Sequence, residues 1–441
     1  MRIKVSVEGK LRQGLAEVAS SSCAKLSGAL SCCADELAAM APILQHPDGG
    51  AWVEGPARLT PASPQCPSAS PTKFLEPGLL NSLQNLRALA CYGVIFYHCA
   101  IRFLAPEDVG ASWLDIMSAG VDLFFMISGF VMVLTTREDE SPAWFANKRI
   151  ARIVPLYWAA TFSVIALVLI RPWTFPNANL SPEGIAASLA FIPHPDSAGF
   201  LYPILGVGWT LNYEMTFYFL FCLSLFLPRN LQLAGVTGLI TAVFVGAHLS
   251  GNKTLVTFYG NPIVFDFMVG CLLAWAMRQK PLAEFCKRVP MWPIAILAFV
   301  VLIVSFNLTT NQDPTVVRYA PAAFLLLFAA VGQDMHRKPT PETIFTKLGD
   351  ASYSAYLFHP SIIIVIVAVV EGMLGRTVVS HTAVLVLTVA VTAPLSLVSL
   401  YQFEKRSARI VRRLVESWGV KPPMAERRDR KPGVSTSQQV Q

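Results

Sequence analysis

Arg87 and His98 stand eleven residues apart in LQNLRALACYGVIFYHCAIRFLA, a stretch otherwise apolar and long enough to cross a bilayer. At ~100° and ~1.5 Å per residue of helix they share one face, about 16 Å apart along its axis. An ionisable side chain inside lipid is costly and is kept for pairing or for function. Further ionisable groups follow in apolar surroundings: Asp122 in GVDLFFMISGF, Glu214 in WTLNYEMTFY with Tyr218 one turn beyond it, and His359 in SYSAYLFHP. Imidazole titrates near neutrality, and a carboxylate beside it can fix its tautomer, so such a pair is suited to taking a proton from a hydroxyl. Asp122 reads equally as a group at the lip of such a cavity, binding an acceptor hydroxyl, or as a helix cap. A second chemistry is written in WFANKRIARIVPLYW, where Arg149 and Arg152 lie at i, i+3. Guanidinium groups one turn apart can grip a phosphate bidentately, which suits a phosphorylated donor.

Each of these residues also has a plainer reading. A lone buried histidine is commonly a structural hydrogen-bonding group, and the arginine pair is accounted for by topology and headgroup binding. Ser128 and Gly129 read as close helix packing rather than catalysis. His98, Asp122 and Glu214 fall at matching depth in three different spans, and that coincidence favours a site over separate accidents.

The elements that must carry these groups are membrane helices. Over 441 residues the chain is 54% hydrophobic and only 14% charged, with mean hydropathy +0.50, whereas soluble domains carry roughly 25% charged residues. Ten windows have the length and apolarity of spans, near 82–104, 115–136, 153–171, 205–227, 231–249, 258–277, 291–309, 317–332, 352–374 and 382–403. An all-α, polytopic integral membrane protein follows. With the N-terminus inside, one set of loops holds Arg137, Lys148, Arg149, Arg152, Arg229, Arg278, Lys280, Lys287, Arg288, Arg337, Lys338 and Lys347, while the other holds only Arg102, Arg171, Lys253, Arg318 and Arg376. Cytoplasmic loops are the cationic ones, so both termini are expected in the cytoplasm. The net charge of +7 is then met by anionic lipid rather than nucleic acid.

Three segments are expected. Residues 1–78 form a poorly ordered extension ending in the Pro/Ser-rich linker PASPQCPSASP, with no apolar run long enough for a signal peptide and with Met40 as a possible later start. Residues 79–404 are the membrane domain, and 405–441 a basic cytoplasmic tail that begins as an amphipathic helix. The nine cysteines show no metal spacing and read as small apolar fillers. No metal is expected. The segment RPWTFPNANLSPEGIAASLAFIPHPDSAGFLYP, mixed in character, is expected to pack over the cavity as an interfacial or re-entrant piece.

Taken together and in order, LRALACYGVIFYH, GVDLFFMISGF, KRIARIVPLY, WTLNYEMTFY and SYSAYLFHP resemble the membrane acyltransferase family 3, the O-acyltransferases of bacterial surface glycans, and within it the exopolysaccharide acetyltransferase type. The resemblance spans nearly all of residues 80–404 and does not reach the extension. It implies transfer of an acyl group, most often acetyl, from cytoplasmic acetyl-CoA or another acyl-CoA to a sugar hydroxyl on a lipid-linked or exported carbohydrate, in the bacterial inner membrane, with no bound cofactor. It matches Arg87, Arg149 and Arg152 to the coenzyme A end and His98 and Glu214 to the catalytic groups. His98 then acts as general base or carries the acyl group covalently, and Glu214 either orients His98 or contacts the sugar. Trp209 and Tyr213 offer ring faces to the acceptor. His359 is structural or substrate-lining, because Pro360 breaks the helix there and calls for a local polar partner. A proton-coupled transporter or flippase of a glycan or small solute would also use buried His, Asp, Glu and Arg, though no inverted repeat and no broken helices in corresponding halves are visible. A structural partner in glycan export would need no such polar cluster.

Overall fold

The computed structural model describes residues 81–103, 113–310, 313–336, 341–420 and 423, and every regular element among them is helical. In lipid the backbone must satisfy its own N–H and C=O groups, which an α-helix does within one segment. The order is α1 (Asn81–Ala100), α2 (Gly120–Thr135), α3 (Pro142–Ile170), α4 (Pro182–Leu189), α5 (Trp209–Ser224), α6 (Arg229–Leu249), α7 (Lys253–Tyr259) and α8 (Phe265–Met277). There follow α9 (Lys280–Arg288), α10 (Trp292–Leu308), α11 (Thr315–Arg318), α12 (Ala320–His336), α13 (Ile344–Asp350), α14 (Ser352–Leu374), α15 (Val378–Ser399) and, after a π-helical turn at Leu400–Glu404, α16 (Lys405–Ser417). The expectation for residues 1–78 lies outside the described residues, as does most of the tail beyond residue 420.

Among the described residues six helices are long and apolar enough to cross a membrane, or up to eight if each of two bent pairs is one span. The chain is therefore an all-helical, polytopic membrane protein. One bent pair joins α7 to Pro262–Met277 at 41°, the other α9 to α10 at 99°; the two are adjacent along the chain. At the two remaining expected windows, α5 and α12 have 16 and 17 residues, short of the ~20 that span a bilayer core. At α5 the reason is local: Gly206–Gly208 form a 3-10 turn before it, and Pro228 follows the window at once. Helix starts are capped by the chain's own side chains: Ser141 accepts from the Trp144 N–H ahead of Pro142, and Thr377 forms a capping box with Ser380.

A close helix approach on the site side is that between α2 and α8, and two glycines make it possible. A Cβ on Gly129 would stand 2.1 Å from the Phe267 carbonyl oxygen, and one on Gly270 2.0 Å from that of Met126. Neither carbonyl can retreat without moving its helix. With the helices in van der Waals contact, dispersion takes over the role that the hydrophobic effect has in water. A second tie is ionic: Arg318 Nη1 donates to Asp115 Oδ2 at 2.9 Å, and the Tyr319 hydroxyl donates to the same oxygen at 2.5 Å, all three residues being buried.

Gly270→Ala is expected to destabilise the folded protein by about 1–3 kcal/mol, the usual cost of forcing an atom into a packed core. Gly238→Ala, where nothing lies within 4 Å of the new Cβ, should be neutral. Thermal unfolding in detergent, followed by helical circular dichroism, separates the two. Arg318→Leu leaves the Asp115 carboxylate buried without its cation and should cost about 3–5 kcal/mol in the same measurement.

Candidate functional site

The common face of α1 opens into two different cavities, one towards each end of the helix. Towards its N-terminal end, Arg87 lines a cavity of about 100 Å³ together with Arg152 of α3, Glu214 and Tyr218 of α5, Ser128 of α2 and Tyr353 of α14. Towards its C-terminal end, His98 lines a cavity of about 360 Å³ with Arg102, Asn177, Asp196, Tyr202 and Pro360. Tyr356 is part of the wall between them. Its ring faces the first cavity, while its hydroxyl meets Thr210 Oγ1 at 3.1 Å and donates to the carbonyl of Val207 at 3.1 Å, a residue lining the second.

Charge at the first cavity is divided between two guanidinium groups and the acids around them. Arg87 and Arg152 repel one another, and the acids acting on them, Glu404, Glu214 and Asp350, come from three different elements. Arg87 Nη1 donates to Gln84 Oε1 at 3.1 Å. Glu404, turned inward by the π-helical turn, accepts from Ser354 Oγ at 3.1 Å. Asp350 closes the short helix α13, outside the candidate spans, and burial raises its carboxyl pKa even though Arg87 acts to lower it. On the opposite wall Glu214 Oε1 accepts from Ser128 Oγ at 3.1 Å and from the Tyr218 hydroxyl.

The arginine pair divides its work. Arg152 faces the cavity, whereas Arg149 lies behind it, with its guanidinium over the rings of Phe145 and Tyr218 at 5.2 and 5.7 Å and Nη2 donating to Thr135 Oγ1 at 3.1 Å. Three residues of helix turn a side chain by about 60° from its predecessor's azimuth, enough to put one arginine in the cavity and the other against its back wall.

In the second cavity His98 Nδ1 meets His359 Nε2 at 3.0 Å, and His359 Nδ1 lies 2.7 Å from the carbonyl oxygen of Tyr356. The segment 171–208 supplies most of the remaining wall. It is tied down at several points: Tyr157 donates to the Ser188 carbonyl at 3.1 Å, Trp158 Nε1 to that of Leu189 at 2.9 Å, and Asp196 Oδ1 accepts the N–H groups of Ala198 and Phe200, both at 2.9 Å. Phe191, at φ 59°, packs against Tyr157 with ring centroids 4.5 Å apart and planes inclined by 31°.

Several expected site residues stand elsewhere. Glu214 is grouped with the arginines, and the partner of His98 is a histidine rather than a carboxylate. Asp122 lines neither cavity and caps no helix through its side chain; it is 1% exposed and lies beside the carboxyl group of Asp266, itself 0% exposed. Tyr213 is a core residue, stacked on Phe258 at 3.9 Å with its hydroxyl donating to the Phe258 carbonyl at 2.7 Å, so that ring face is covered. Trp209 meets Phe125 and Tyr213 edge-on at 6.4 and 5.8 Å. His359 is fully buried and lines neither cavity. In the Ser128–Gly129 pair only the glycine serves packing, since Ser128 faces the arginine cavity. Tyr353, Tyr356 and Glu404 escaped the sequence reading. Both tyrosines stand within SYSAYLFHP, and Glu404 is an acid closing an apolar window.

The acyltransferase domain family matches residues 80–398. The exopolysaccharide production protein ExoZ of Rhizobium meliloti (strain 1021) is 35% identical over 260 residues, 58% of this chain and 80% of that protein. The acyltransferase MdmB of Streptomyces mycarofaciens is 27% identical over 321 residues, covering 64% and 78%. The O-acetyltransferase OatA of Staphylococcus aureus (strain NCTC 8325 / PS 47) is 27% identical over 334 residues, 66% of this chain but only 52% of that longer protein. No solved structure matches. Both cavities, and both ends of the α1 face that joins them, lie within the matched region, and this chain belongs to the acyltransferase-3 family.

Proposed function

We propose that this protein is a membrane O-acyltransferase that moves an acyl group, acetyl above all, from cytoplasmic acyl-CoA to a hydroxyl of a cell-surface or exported carbohydrate. The observation that carries the reading is the division of one helix face between two cavities, arginines in one and a histidine in the other. The kinds of protein to which the chain is similar support it: one named for exopolysaccharide production, one an O-acetyltransferase. In this reading the helices form ten spans with both termini cytoplasmic, in the inner membrane, and the arginine cavity faces the cytoplasm. The phosphates of acyl-CoA meet Arg87 and Arg152, and the acyl end reaches the histidine cavity past Tyr356. A lipid-linked or exported glycan enters from the far side, between His98 and the segment 171–208.

His98 takes the proton of the acceptor hydroxyl as its oxygen bonds to the thioester carbonyl carbon. The carbon–sulfur bond then breaks, and the thiolate leaves with the proton returned from the imidazolium. Every atom is accounted for without a metal, and no covalent enzyme intermediate is required. Glu214, held by Ser128 and Tyr218, closes the arginine cavity on the acceptor side and balances the guanidinium charge.

His98→Ala, inserted and folded, should lose the acyl mass per glycan repeat that wild type adds, a rate loss of about 10²–10⁴-fold for removal of a general base. Mass spectrometry of exported carbohydrate from cells with wild type, His98→Ala or no protein reads it. Unaltered acylation by the variant would remove His98 from the reaction, and identical glycans in all three would revive transport. Arg152→Gln should raise the KM for acyl-CoA by roughly 10–100-fold, since a hydrogen bond to a charged group is worth about 1.5–3 kcal/mol. Arg149→Gln, acting through Tyr218, should lower kcat and leave that KM within about threefold. Initial rates over a donor titration compare them; equal rises in KM would give both arginines the same role.

A further inference from the structure

We infer that His359 is a positioning residue that fixes which nitrogen of His98 reacts, and that Pro360 is the reason it can. This rests on His98 being the reacting group. Proline has no N–H, so Pro360, inside α14, leaves the carbonyl of Tyr356, four residues earlier, without its helical donor. A carbonyl stranded at membrane depth needs a partner from within the protein. His359 Nδ1 lies 2.7 Å from that oxygen. A carbonyl oxygen only accepts, so the proton is on Nδ1, and in the neutral ring Nε2 is left as an acceptor. That acceptor lies 3.0 Å from His98 Nδ1, which therefore carries the proton. The lone pair of His98 is thereby assigned to Nε2, the one ring nitrogen of the two histidines that the relay leaves open.

The ring geometry agrees. The two imidazoles are inclined by 25° with centroids 5.0 Å apart, whereas rings lying face to face in this protein, those of Phe103 and His381, are 3.7 Å apart. The histidines meet edge to edge, so each nitrogen's bonding direction lies near the plane of the other ring, as a hydrogen bond requires. Among the described residues no carboxylate hydrogen-bonds either ring; Glu214 is held by Ser128 and Tyr218. The orienting group usually supplied by an acid is here a neutral histidine, 0% exposed. Such a partner fixes the tautomer without placing a negative charge next to the imidazolium formed during transfer, so the proton is more readily returned to the leaving thiolate.

The test compares His359→Leu, which removes the acceptor, with His359→Gln, whose amide oxygen can stand near the former Nε2. Thiol release from acetyl-CoA is followed in inverted membrane vesicles of the producing cells, which carry the native acceptor, with His98→Ala alongside. His359→Leu is expected to lose about 10²-fold or more in kcat with the KM for acetyl-CoA within about threefold, and His359→Gln to recover to within about tenfold of wild type. Full kcat in His359→Leu, or a glutamine variant as slow as leucine, would overturn the inference. An active His98→Ala would instead refute the reading beneath it. The wild-type protein supplies a measurement that does not depend on either variant folding: with histidine labelled in ¹⁵N, the unprotonated nitrogen of His98 should be Nε2. Finding it at Nδ1 would also overturn the inference.

Discussion

A polar group surrounded by lipid must find its partner inside the protein, and at the centre of this site one proline turns that constraint into chemistry. Pro360 strands a single carbonyl, that of Tyr356. The nearest donor able to reach it is the side chain of the preceding residue, and satisfying the backbone in this way commits His359 to one tautomer. His359 in turn commits His98. A backbone defect that would cost a soluble helix about 3 kcal/mol or more is thus compensated locally, and the compensation orients a titratable group about three turns along α1 from Arg87. The same constraint explains why Asp115 is bonded to Arg318 and Tyr319 and why Asp122 is buried beside Asp266. Each ties together helices distant in sequence and leaves the two cavities to other residues.

Charge is arranged differently at the arginine end. Arg87 and Arg152 are not fully neutralised by one another's partners but are set against acids contributed by α5, α13 and the π-helical turn. Distributing the counter-charge holds both half-buried guanidinium groups in the wall without locking either into a bidentate pair, and bidentate geometry is what a phosphate would compete for. Burial also removes much of the screening that salt would give at a surface. The α2–α8 contact supports this wall from behind: glycines at 129 and 270 let the helices close, which brings Ser128 round to Glu214.

How much of this was legible in the sequence depends on whether the information was local. The shared face of Arg87 and His98 follows from helix periodicity alone, and α1 carries both as expected. The polar partner that Pro360 demanded was legible too, because proline's missing N–H is a property of one residue. Glu214 was expected beside His98 because the two lie at matching depth, but depth fixes a coordinate along the membrane normal and says nothing of which neighbour a side chain turns towards. The loss of Gly206–Gly208 from α5 into a 3-10 turn changes that helix's start. Asp122 and Asp266 are 144 positions apart, and no local pattern marks one as the other's partner. Tyr213 and Trp209 looked like sugar platforms because aromatic rings serve both cores and carbohydrates; only packing tells them apart, and it places Tyr213 in the core.

The partition at Tyr356 brings these threads together. The barrier between the cavities is a side chain rather than a helix backbone, and it is held by two hydrogen bonds, to Thr210 and to the Val207 carbonyl. Each is worth only about 0.5–1.5 kcal/mol net, and the ring is also packed in the core, with the rings of Phe124 and His359 6.1 and 5.7 Å away. The main chain of the same residue anchors the histidine relay through its carbonyl. Main chain and side chain of Tyr356 thus have separable duties: the hydroxyl ties the ring to Thr210 and Val207, while the carbonyl, fixed within α14, holds His359. In the reaction proposed above, an acyl group passing this ring would leave the contact that sets the tautomer of His98 in place. That independence is what a transfer across a closed membrane requires, since the reacting base must stay set while the path to it changes.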